Sequence, residues 1–123
     1  MRSTGRAGRP DFAAAIYPGY FLEQQQAGVE QEKNILAPYI RIPTGTPPIF
    51  LAHASDDTVA GAENSAVMYL ALKRAKVSAE LHIFAKGGHG FGVRTNTLPG
   101  ATWADRFVDW LRNEDMLGHV PAK

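Results

Sequence analysis

The 123-residue sequence contains no cysteine, which excludes a disulfide framework, a thiol nucleophile and a thiolate-bound metal. That absence leaves the compartment open, because many exported proteins also lack cysteine. No apolar run approaches the roughly 20 residues that span a bilayer, and Met1 to Pro10 has no apolar centre of a secretory signal. A soluble chain is the expectation. Charge of one sign is lacking too: 13 Lys and Arg against 12 Asp and Glu leave +1, which offers no field for nucleic acid or an anionic membrane. Arg2, Arg6 and Arg9, interleaved with Ser, Thr and Gly, read as a frayed lead-in.

What remains is ordinary globular material, 45% hydrophobic and 20% charged, enough for one domain with one core. The reading in segments is a flexible lead-in over 1–10, the domain over 11–117 and a tail over 118–123. Phe12 to Tyr17 is a continuous apolar run closed by Pro18-Gly19, as expected of a strand buried on both faces of a parallel sheet. Tyr20 to Pro47 shows no period, and Pro38, Pro43, Pro47 and Pro48 forbid a long helix there. Pro48 to Ala54 is a second apolar strand, followed by Ser55-Asp56-Asp57.

From about Glu63 to Ala75, Val67, Leu70, Ala71 and Arg74 recur at helical spacing, with Met68 and Leu72 beside them. Glu63 in the first turn and Lys73 and Arg74 in the last suit the helix dipole. Glu80 to Ala85 partly alternates and predicts an edge strand. A final helix starts near Thr102, which with Asp105 has the spacing of a capping box. Trp103, Phe107, Trp110 and Leu111 then share one face that docks on the sheet. The two indoles are expected in the core. Strands alternating with helices imply a parallel sheet whose chemistry lies beyond the carboxyl ends of the strands. Asp56, Asp57 and His89 all fall there.

The stretch Gly87-Gly88-His89-Gly90-Phe91-Gly92 holds one histidine among glycines. A catalytic imidazole needs such a loop, turned so that one ring nitrogen faces an acid and the other a substrate; glycine permits the positive φ values involved. Two rival readings stand beside it. One is a plain flexible loop with an incidental histidine. The other is a phosphate cradle, which requires a helix directly behind Gly92, and Val93 to Pro99 is a poor helix start.

An acid after one strand and a histidine in a glycine loop after the next resemble the C-terminal part of an α/β-hydrolase. The closest similarity is to the acetyl xylan esterase, dienelactone hydrolase and prolyl-oligopeptidase-like group. The resemblance rests on the ordered set of Pro10 to Pro18, Thr46 to Asp57, Glu63-Asn64-Ser65, Ala79 to Phe84 and Gly87 to Gly92. It implies a partial α/β-hydrolase fold, with three parallel strands corresponding to the family's sixth, seventh and eighth and with flanking helices.

It further implies that His89 is the general base and Asp57 the acid that orients it, with Asp56 the rival for the acid. Tyr17, Tyr20 and Phe91 become candidate substrate contacts. The implied activity is carboxylic-ester hydrolysis of a small ester or acetylated carbohydrate, with no cofactor and no metal. The family's Gly-x-Ser-x-Gly nucleophile elbow is not in this sequence, and Ser3, Ser55, Ser65 and Ser78 are poor substitutes for it. The alternative is therefore a catalytically inactive, truncated α/β-hydrolase module. His53 and His82 read as strand residues and His119 as tail. Lys76 stands where relatives usually carry a helix-ending glycine. An open strand edge at Phe12 to Tyr17 predicts self-association or pairing with a chain carrying the other half.

Overall fold

The run Ile49-Phe50-Leu51-Ala52-His53-Ala54 forms the central strand β2 (Ile49–Ala54), and every residue after Ile49 is buried. The computed structural model describes residues 10–23, 35–92 and 102–116. On either side of β2 lie β1 (Ala13–Ile16) and β3 (Ala79–Phe84), both parallel to it, in the order β1-β2-β3. Ile49 is opposite both Ala13 and Ala79, so the three strands start in register. Helix α1 (Glu63–Arg74) connects β2 to β3, and α2 (Trp103–Asn113) follows the glycine loop. This is the open parallel sheet with flanking helices of a partial α/β-hydrolase fold. Among the described residues, no helix is long and apolar enough to cross a membrane.

The two-residue period of β2 divides the core. Leu51 packs with Met68 and Leu72 of α1. Phe50 and Ala52, on the other face, pack with Trp110 and Leu111 of α2. The Phe50 ring lies 5.3 Å from Phe107 and 5.6 Å from Trp110, and such aromatic pairs contribute about 0.5–1.5 kcal/mol each beyond area burial. The expected apolar face of α2 is thus the one that docks. The expected capping box is not formed, since Thr102 makes no side-chain capping hydrogen bond.

Two further expectations are corrected. The inward face of α1 is Asn64, Ser65, Met68 and Leu72, whereas Leu70 is 49% exposed. Apolarity misplaced the face because Asn64 and Ser65 are buried to serve loops: Asn64 Oδ1 accepts from the Phe21 N–H, and Ser65 Oγ meets His53. Strand β1 is not buried on both faces, for Ala14 is exposed and β1 is an edge strand among the described residues. It stops at Ile16 because Tyr17 takes a left-handed φ of 40°. The lead-in, the tail with His119, Ser3, and the segment from Val93 to Pro99 that bears on the phosphate cradle lie outside the described residues, apart from Pro10 at the end of the lead-in.

Candidate active site

Because the strands run parallel, their C-terminal ends bring three loops together. The turn after β2 carries Asp56 and Asp57, the loop after β3 carries His89, and the residues after β1 begin with Tyr17. The Ser55 N–H donates to the Phe84 carbonyl at 2.7 Å and the Asp57 N–H to the Ala54 carbonyl at 3.2 Å, which fastens the base of both loops.

Asp57 is buried, and both of its oxygens accept hydrogen bonds. Its Oδ1 receives the Val59 and Ala60 N–H groups at 2.9 Å each, and its Oδ2 receives His89 Nδ1–H at 2.8 Å. Burial alone would raise this carboxyl. The hydrogen bonds from Ala60, His89 and Val59 and the charge of His89 outweigh it, so the pKa lies below the usual 3.8. A carboxylate in that state fixes the His89 tautomer with the proton on Nδ1 and leaves Nε2 as the basic nitrogen.

The glycines around His89 do what such a turn requires. Gly88 and Gly90 hold φ of 63° and 87°. At Gly87 a Cβ would come within 3.1 Å of the Phe91 ring and 3.2 Å of the Ala54 side chain. Behind the imidazole the Tyr17 ring lies 4.6 Å away, with Phe91 set edge-on to Tyr17 at 5.0 Å. A cleft of about 590 Å³ opens on this side, lined by Tyr17, Tyr20, Glu23, Val59, Asn64 and His89 among others. Tyr17 and Tyr20 therefore border the cleft, Tyr20 being 80% exposed. Phe91 is 5% exposed and supports Tyr17 from within.

Asp56 and Asp57 are separated by function. Asp56 Oδ1 accepts from the Gly87 and Gly88 N–H groups at 2.9 and 2.7 Å and so grips the loop backbone, while Asp57 holds the ring. His53, read from sequence as a plain strand residue, is completely buried beneath this turn. Its Nε2 donates to the Ala60 carbonyl at 2.8 Å and lies 3.3 Å from Asp57 Oδ2, and its Nδ1 meets Ser65 Oγ at 2.7 Å. A carbonyl can only accept, so the proton is on Nε2. A lone histidine inside an otherwise apolar strand was the available signal for this role. His82 instead pairs with Glu80 at 2.8 Å along β3.

The described serines lie in different surroundings. Ser65 is fully buried against His53. Ser78, before β3 and thus at the opposite end of the sheet, donates to Glu114, and Ser55 is exposed in the turn beside the acids. Among the described residues, no group of three His, Cys, Asp or Glu side chains could hold a metal ion.

Solved structures share this arrangement of elements. An acetyl ester-xyloside bifunctional hydrolase from Caldicellulosiruptor lactoaceticus is 28% identical with a TM-score of 0.69, over 88% of this chain and 44% of its own. A propionate-bound esterase from Thermogutta terrifontis is 21% identical with a TM-score of 0.69, over 98% and 48%. A sugar hydrolase from Lactococcus lactis is 24% identical with a TM-score of 0.65, over 87% and 49%. The chain thus spans less than half the length of each. No curated protein sequence matches it. The prolyl oligopeptidase family matches across residues 12–115, nearly the whole chain, and the protein belongs to that family of α/β-hydrolases.

Proposed function

We propose that the chain supplies the general base and the orienting acid of a serine carboxylic-ester hydrolase. The observation that carries this reading is His89 Nδ1 at 2.8 Å from a buried Asp57 oxygen, with the ring bordering an open cleft. In the proposed reaction a serine Oγ attacks the ester carbonyl while His89 Nε2 takes its proton. The tetrahedral intermediate collapses as that proton passes to the departing alcohol. Water, deprotonated by the same nitrogen, then releases the acid and regenerates the serine. Asp57 steadies the imidazolium at each passage. The reaction requires no metal or organic cofactor.

The serine and most of the oxyanion hole come, on this reading, from residues outside the 123. A small ester or acetylated carbohydrate is the proposed substrate, with Tyr17 and Tyr20 as its contacts and Phe91 as the support behind Tyr17. The similarity to an acetyl ester-xyloside hydrolase favours it. The edge of β1, free among the described residues and with Ala14 exposed on it, is the proposed site of self-association or of pairing with the other half of the sheet. Light scattering on the chain and on its Ala14→Lys variant checks this, and a monomer at high concentration counts against it.

The deciding experiment is p-nitrophenyl acetate hydrolysis, with a fluorophosphonate serine probe, by the chain alone and together with a hydrolase half bearing the elbow. Turnover only in the pair, abolished by His89→Ala, supports the reading. Silence in both favours an inactive module. Labelling of the lone chain would mean that it contains its own nucleophile, Ser55 being the first to test.

A further inference from the structure

Between the end of β3 and the buried ring of Phe91, the chain passes through Gly87 and Gly88 before reaching His89. Glycine loses more conformational freedom on ordering than any other residue, so this segment does not by itself hold an imidazole in one place. Both glycine amides nevertheless point at a single oxygen, Asp56 Oδ1, at 2.9 and 2.7 Å, across 31 and 32 residues of sequence. The neighbouring Asp57 holds the ring that follows directly after those amides.

We propose that Asp56 is a positioning residue, which clamps the Gly87-Gly88 backbone and thereby sets His89 against Asp57. Both carboxylates belong to one turn. The separation of base and acid is therefore set within a single dipeptide rather than by the independent placement of two loops. Asp56 is exposed and Asp57 buried, so the clamp competes with water and acts on the loop, not on the core. Its loss leaves the fold intact and lets the imidazole leave Asp57. The inference rests on the reading of His89 and Asp57 as base and acid, but its test needs no turnover.

The test is long-range proton–nitrogen NMR of the imidazoles, recorded where they are neutral, with His89 assigned from the His89→Ala spectrum. In the native chain Asp57 holds His89 in the Nδ1–H tautomer, whereas a free imidazole prefers Nε2–H. Asp56→Ala lowers the ratio of Nδ1–H to Nε2–H by about tenfold, the factor set by one hydrogen bond to a charged acceptor. The Val59 and Ala60 amides, which report the Asp57 turn, stay hydrogen-bonded to the Asp57 carboxylate, as scalar couplings across those bonds show. Asp56→Asn keeps an oxygen for both glycine amides and restores the native ratio. An unchanged ratio in Asp56→Ala overturns the clamp alone. A fall accompanied by loss of the Val59 and Ala60 hydrogen bonds to Asp57 also overturns it, since Asp56 would then support the turn. An Nε2–H tautomer in the native chain overturns both the clamp and the base–acid reading.

Discussion

Replacing Asp57 tests the site most directly, because the structure assigns each of its oxygens separate work. Asp57→Ala strands the Val59 and Ala60 amides, bound at 2.9 Å, and the His89 Nδ1–H, bound at 2.8 Å. A hydrogen bond to a charged acceptor contributes about 1.5–3 kcal/mol. Val59 is 76% exposed, so the freed backbone groups recover part of that from water, and a loss of about 3–5 kcal/mol is expected. Against a typical total of about 5–15 kcal/mol, that is a large fraction. Asp57→Asn keeps an oxygen for the two amides but turns an NH2 toward His89 and toward His53 Nε2, 3.3 Å from Oδ2. Its expected cost is about 1–2 kcal/mol. Urea unfolding of the three proteins, with a common m-value, gives the order native, Asn, Ala.

The same pair fixes the pH dependence. The Asp57 pKa is lowered from 3.8 in the fold, so its stabilisation is complete above that value and is lost as the pH falls through the folded pKa. The native advantage over Asp57→Asn therefore shrinks as the pH falls from above 3.8 through the folded pKa. Equal costs for Asn and Ala, or a native advantage constant across that range, would refute the assignment of Oδ1 to the turn and Oδ2 to the histidine.

Two other substitutions probe the frame that positions the site. Trp110 is 2% exposed and its Nε1 has no hydrogen-bond partner among the described residues. Trp110→Phe removes that unsatisfied donor while leaving a small void, so thermal unfolding is expected to place it within about 1 kcal/mol of native, against a loss of about 3–5 kcal/mol for Trp110→Ala. Lys76 follows α1 at a φ of 60°, where a Cβ costs about 1 kcal/mol. Lys76→Gly is expected to raise stability by about 0.5 kcal/mol after allowance for the freer unfolded chain. Lys76→Ala, which keeps the Cβ, is expected to yield no gain in the same unfolding titration.

What the sequence determined by itself was whatever depends on local pattern. The apolar run of β2, the stripe of Trp103, Phe107, Trp110 and Leu111 on α2, and the glycines around His89 each carry their structure in residue type and spacing, because burial period and allowed φ are properties of short segments. The order of the strands and helices followed from the same signals. Only the tertiary structure decided what depends on which segment lies opposite which. Asn64 and Ser65 turn the polar side of α1 inward because loops and a strand histidine wait there for hydrogen bonds. Two adjacent aspartates became a loop clamp and a ring partner because successive residues of a turn face different neighbours. His53 became the floor of the site rather than one more strand residue. In each case the deciding quantity was a polar contact between different segments that the fold brings together, and hydrophobic period is blind to that.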